Sequence, residues 1–269
     1  MQKKSQVLPH TRIYTILLVI VISVGPTAAS GQPPTALMQS IVAEPAKMYA
    51  DCMSLARSEP RKAIVAAAQW LRSGENDGAL HCRAVALLNS GAYVSAATEL
   101  ESLAATTGQS GKQIRADLLA QAGQAWLIAG KTKEAIAAQT RALQIGGPRI
   151  DLFLDRAVTR AGDGDYWRSI DDLNSVIDLD PRHINALILR ATAWRRLGNL
   201  VLAADDIARA IAIAPGNVNA LLERGNIKMF QGDKNGAAAD WRWVVVKNAR
   251  SPAATAARRN LSRITSKSR

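Results

Sequence analysis

Apolar and small residues in this chain recur at intervals of three and four, the spacing that gathers them on one face of an α-helix. The apolar–polar alternation of a half-buried strand is rare. The helical stripes are broken at regular places. Gly130, Gly164, Gly198 and Gly232 stand 34 residues apart, and Ala135, Ser169, Ala203 and Ala237 keep the same period, as do Arg156, Arg190 and Arg224, and Pro181 with Pro215. Aligned on these ladders, Phe153, Leu187 and Leu221 share an apolar position, and Ala157, Ala191 and Gly225 share a small one four residues on. Each unit reads as an apolar stripe, a short turn at the glycine, and a second stripe, which makes a helical hairpin. One hairpin cannot bury its apolar face alone, so successive units must stack into a solenoid with a concave side.

The segments ALILRATAWRRLGNLVLAADDIARAIAIAP and ALLERGNIKMFQGDKNGAAADWRWVVV resemble tetratricopeptide (TPR) repeats, and the likeness extends over residues 77–250. Period, small residues, turn glycine and terminal proline agree. The resemblance implies an all-α fold, a TPR-type right-handed solenoid of stacked helical hairpins, with repeats at 77–110, 116–149, 150–183, 184–217 and 218–250. The step from Gly91 to Gly130 is longer than the others by five, so extra residues enter around TTGQSGK as a lengthened loop between hairpins. Upstream, two stripes broken at SEP suggest a degenerate unit at 44–76 after a linker at 31–43. Downstream, 251–266 forms a solvating helix, with Ala253, Ala257, Leu261 and Ile264 on one face and Arg258, Arg259 and Arg263 elsewhere, followed by a tail at 267–269.

Composition sharpens this picture. Hydrophobic residues make up 48% of the 269 but aromatic ones only 4%, so the core must be aliphatic, with helices approaching closely through alanine. Residues 1–30 read as a signal peptide: Lys3, Lys4 and Arg12 precede the apolar run IYTILLVIVISV, and PTAASG supplies small residues for cleavage. That run falls short of the roughly 20 residues a spanning helix needs, so no integral membrane span is expected in the mature chain. Removing those three cations from the formal charge of +12 leaves +9. The expected location is the periplasm, the Gram-negative setting resting on the resemblance. The two cysteines, Cys52 and Cys82, fall in the exported part, where an oxidising compartment favours a disulfide over a pair of buried thiols. In the TPR register both sit midway along first helices of consecutive units, which pack side by side.

Four arginines have an acid 16 positions later: Arg83 with Glu99, Arg156 with Asp172, Arg190 with Asp206 and Arg224 with Asp240. Those positions face each other across a hairpin. The unit with Ala122 in place of the arginine has Ala138 in place of the acid. Members that come and go together, once per repeat, point to structural ion pairs rather than catalytic groups. No nucleophile elbow, HExxH, Walker A or dinucleotide motif is present, so no enzymatic activity and no cofactor is expected. His81, Cys82 and Cys52 lack a fourth ligand and the usual spacing for zinc, and GDGD at 162–165 is a plain turn; no metal is expected.

Binding is the function that remains. In the TPR family the first helices line the concave groove, which here places Gln124, Leu127, Asp151, Asn185, Thr192, Arg195, Arg196, Asn219 and Asn226 on that face. Arg195 and Arg196 could hold a carboxylate while the asparagines bond an extended backbone. The carboxylate-clamp pattern of some chaperone-binding members is not reproduced. The expected function is a non-enzymatic scaffold or adaptor with a protein or peptide partner. The alternative is a polyanion binder, in which the basic chain and Arg258, Arg259, Arg263, Lys267 and Arg269 engage lipopolysaccharide, another acidic polymer or an anionic membrane surface. Nucleic acid is not an expected partner.

Overall fold

The computed structural model describes residues 36–74, 76–108 and 111–266, with side chains described within these stretches from residue 45 to 264. The expected signal peptide and tail lie outside them. Helices pair in chain order: α1 Ala36–Ser58 with α2 Pro60–Leu71, α3 Asp77–Asn89 with α4 Tyr93–Thr106, and α5 Lys112–Ile128 with α6 Thr132–Gly146. The pairs continue as α7 Ile150–Gly162 with α8 Tyr166–Leu179, α9 Ile184–Arg196 with α10 Leu200–Ile213, and α11 Val218–Phe230 with α12 Lys234–Lys247, before a final α13 Pro252–Ser266.

The repeating glycine explains the repeating turn. Gly91, Gly130, Gly164, Gly198 and Gly232 all have φ between 75° and 90°, the left-handed region that costs other residues their Cβ clearance. In each case the next amide reaches back five residues to close the first helix, as Asn199 N–H does to the Trp194 carbonyl at 2.9 Å and Asp233 N–H to the Lys228 carbonyl at 2.9 Å. The residue carrying that amide then serves as the cap of the following helix. The side chains of Asp165, Asn199 and Asp233 accept from the backbone amides of Arg168, Leu202 and Gly236, satisfying donors the helix itself leaves open. His183 plays the same part at the start of α9, its Nδ1 accepting from Ala186 N–H at 3.1 Å.

Each first helix packs on its own second helix, and each second helix on the first helix of the next unit. The core is accordingly a string of local clusters. Ala157, Leu173, Val176, Leu187, Ala191 and Ile207 are all buried in the middle one. Alanine facing a larger aliphatic residue lets the helices approach, and opposite Trp241 and Gln139 the alanine becomes glycine. A Cβ on Gly225 would lie 2.5 Å from Trp241 Nε1, and one on Gly123 would lie 2.7 Å from Gln139 Cγ. At the C-terminal end Ala253, Ala254 and Ala257 of α13 are buried against Leu221, Trp241 and Val244, while Arg258, Arg259 and Arg263 face outward.

Two boundaries differ from the sequence expectation. Residues 36–43, read as linker, belong to α1, because ALMQSIVA carries neither glycine nor proline and its residues lose little in a helix. Residues 112–115 are the first turn of α5 rather than loop. Their polar character suits an exposed helix end as well as a loop, and Arg115 Nε donates to the Ala104 carbonyl at 3.1 Å.

Candidate functional site

The walls of the solenoid are set by the recurrent arginines. Arg156 donates from Nε and Nη2 to the two oxygens of Asp172 at 3.1 and 2.7 Å, and Arg190 does the same to Asp206 at 2.9 and 2.7 Å. Arg224 holds Asp240 at 2.9 and 2.6 Å, and Arg83 meets Glu99 through Nε at 2.7 Å. The three aspartates are buried. The third guanidinium nitrogen does something the sequence ladder did not announce. Arg156 Nη1 donates to Thr140 Oγ1 at 3.1 Å and Arg190 Nη1 to Asn174 Oδ1 at 2.7 Å. Each arginine thus ties its own hairpin to the second helix of the preceding unit. In the unit that has Ala122 instead, the corresponding residue Glu101 accepts from Trp126 Nε1 at 3.2 Å and pairs with Arg141.

These contacts set the local electrostatics. Hydrogen bonding to Asp240 raises the Arg224 pKa against the opposing effect of burial. For Asp240, burial alone would raise the carboxyl, but hydrogen bonds from Arg224 and Lys228 outweigh it and hold the pKa below the ordinary value.

Side chains of successive first helices meet one another, and this reassigns several of the expected groove residues. Arg195 donates to Glu223 from Nε at 2.6 Å and Nη2 at 3.3 Å, with both side chains largely buried and the guanidinium over the Phe230 ring at 5.3 Å. It is an internal tie between α9 and α11 and is not free to hold a ligand carboxylate. The end of one first helix faces the middle of the next, a pairing between units that the ladder within each hairpin did not contain. Asn226 donates to Glu223 Oε2 at 2.8 Å and accepts from Asn260 at 2.9 Å. Gln124 donates to Asp155 at 3.1 Å, whose carboxyl is pushed above its ordinary pKa, chiefly by burial. Thr192 bonds its own helix at the Ile188 carbonyl, Asp151 is taken by Arg149 at 2.5 Å, and Arg196 lies over the Tyr166 ring at 5.6 Å. Leu127 is half-buried.

Asn185 and Asn219 behave differently. They occupy the same register position one repeat apart, both are exposed, and neither side chain has a partner among the described residues. At that position in the two earlier units stand Asp117 and Asp151, both bound by Arg149. The ladder therefore divides into a self-satisfied acidic half and an open amide half.

At the other end, Tyr49 of α1, His81 of α3 and Gln121 of α5 form a row. Tyr49 Oη lies 2.7 Å from His81 Nδ1, and His81 Nε2 lies 3.0 Å from Gln121 Oε1. With an amide oxygen facing it, Nε2 carries the proton and Nδ1 accepts from the tyrosine, so the ring is neutral. Burial pushes its pKa below the usual histidine value. Next to it Cys52 and Cys82 are joined by a disulfide, with Cα atoms 6.1 Å apart. The sequence offered no period for Tyr49, His81 and Gln121, because they stand 32 and 40 residues apart and so hold different register positions in their units.

No model of a known protein family matches the chain, and no curated protein matches it. Its fold is nevertheless shared with solved structures. The C-terminal part of a TPR repeat-containing protein from Cytophaga hutchinsonii superposes with a TM-score of 0.62 at 14% identity, covering 75% of this chain and 79% of that one. A tetratricopeptide repeat protein from Parabacteroides merdae gives 0.55 at 19% identity over 84% of this chain and 90% of its own. YrrB, described as a TPR protein with an unusual peptide-binding site, gives 0.54 at 15% identity over 72% of this chain and 97% of its own. The fold is a TPR-type right-handed solenoid of stacked helical hairpins.

Proposed function

We propose that this protein is a non-enzymatic scaffold that holds an extended segment of a partner protein along its first helices. The observation that carries this reading is the pair Asn185 and Asn219, open amides at equivalent positions on α9 and α11. Neighbouring packed helices lie about 8–10 Å apart, close to three residues of extended chain at about 3.3 Å each. Two amides so spaced can each bond a peptide group of one ligand backbone. The peptide-binding site in the name of YrrB supports the ligand class. Replacing Asn185 or Asn219 by a photo-crosslinking residue in the producing cell is expected to trap polypeptide, whereas the same probe at the exposed outer residue Val246 traps none of it. Capture of the same species from both faces, or of lipopolysaccharide alone, would refute the groove. Salt adds a second criterion: a groove ligand stays bound as ionic strength rises, whereas a polyanion is released steeply.

The place of action follows from the leader-like start, and we read the protein as a periplasmic adaptor. No helix among the described residues is long and apolar enough to cross a membrane. Intact-mass measurement of protein from its native compartment is expected to place the mature N-terminus between Ser30 and Pro34. A membrane-extracted chain retaining Met1 would overturn that location.

A further inference from the structure

Arg224 departs from its two predecessors in one atom's surroundings. Arg156 and Arg190 spend their third nitrogen on Thr140 and Asn174 of the preceding second helix. The equivalent residue before Arg224 is Ala208, which has no acceptor, and Arg224 Nη1 has no hydrogen bond among the described residues. The side chain is correspondingly open: 38% exposed, against 13% for Arg156 and 17% for Arg190.

Ala208 lines an open cleft of about 470 Å³ between α10 and α11. Ala204, Ala208 and Ala212 keep it open, and Ile207, Ile211 and Ile227 give it an apolar lining. The alanines span two turns of α10, about 12 Å along the axis, so the cleft is a short trough rather than a point site. Two cations border it, Arg224 and Lys228, and both bond the single carboxylate Asp240, Lys228 at 2.9 Å. One positive charge is left over. An aliphatic trough with an unmet guanidinium N–H and a net positive edge suits an apolar segment that carries a carboxylate.

We propose that this cleft is a second binding site, which takes an acidic peptide segment with leucine-like residues flanking its carboxylate. The ligand carboxylate accepts from Arg224 Nη1, as Thr140 and Asn174 accept within the chain. None of the expected groove residues lines the cleft, so the site stands or falls independently of the groove.

The test follows isoleucine methyl resonances of the mature protein during titration with acetyl-Leu-Glu-Leu-Gln-amide and, separately, with acetyl-Leu-Gln-Leu-Gln-amide. The glutamate peptide is expected to shift the Ile207, Ile211 and Ile227 methyls and to bind at least about tenfold more tightly than its glutamine counterpart, a step of about 1.4 kcal/mol. Ala208→Asn supplies the internal acceptor that Asn174 provides to Arg190, on an exposed helix position. It is expected to abolish those shifts while leaving the melting temperature unchanged or raised. Arg224→Lys keeps the charge beside Asp240 but removes the third nitrogen, and is expected to weaken binding as well. Equal binding of the two peptides, undiminished binding to Ala208→Asn, or no shift at about 1 mM peptide overturns the site. So does a response to sodium octanoate without one to the glutamate peptide, which would make the ligand a free aliphatic acid.

Discussion

Replacing Arg190 by alanine is expected to destabilise the protein by about 2 to 4 kcal/mol, because it strands a buried carboxylate whose desolvation had been offset. Asp206 is only 2% exposed and receives two hydrogen bonds from Arg190. The substitution also frees Asn174, undoing a tie between α8 and α9. Arg209, 3.6 Å from Asp206 and more exposed, supplies partial compensation, which keeps the loss below the largest values known for broken buried pairs. Arg190→Ala combined with Asp206→Ala is expected to recover much of the loss, since removing both members leaves no uncompensated charge. The hairpin with Ala122 and Ala138 already closes in that form, both alanines being fully buried. Denaturant melts of wild type, both single variants and the double variant form the cycle that measures this. A double variant no more stable than Arg190→Ala would refute the pairing argument.

Reduction of the disulfide between Cys52 and Cys82 is expected to lower the melting temperature, with a loss of about 3 to 4 kcal/mol for a closed loop of this length in the chain-entropy model. The link joins α1 to α3 across a sequence separation of 30 residues. Its position at the start of the array gives it leverage. In a solenoid the terminal unit has one neighbour instead of two and frays first, and the core beneath α1 consists mostly of small side chains, Ala56, Ala63, Ala67 and Ala86. A covalent staple there substitutes for the interface that an interior unit would have. Thiol titration of the unreduced, unfolded protein from its native compartment is expected to find no free cysteine. Two titratable thiols would remove both the staple and the argument for an oxidising location. Hydrogen exchange should localise the effect of reduction to α1, α2 and α3, leaving the middle repeats protected.

The constant spacing of the turn glycines was enough to define the hairpins that turn at Gly130, Gly164, Gly198 and Gly232, because turn glycines, cap residues and the small position are each dictated by one unit's own backbone. A left-handed turn needs glycine wherever it occurs, and a hairpin that must close needs a small residue at the crossing. For the same reason the Arg–acid ladder was legible: both members belong to one hairpin. Contacts between units were not legible. Arg195 reads in the sequence as a free groove cation, yet Glu223 of the next unit claims it. The two substitutions to glycine make sense only once Gln139 and Trp241 are seen against Gly123 and Gly225. The open nitrogen of Arg224 depends on Ala208, which belongs to the second helix of the preceding hairpin. The sequence by itself thus determined the element, its turn and its internal pairing, which are local and repeat with the period. Only the tertiary structure decided which polar groups on the assembled faces are spent on a neighbour and which remain for a ligand. That depends on how far one helix sits from the next, a distance set by packing of side chains whose partners lie in another repeat.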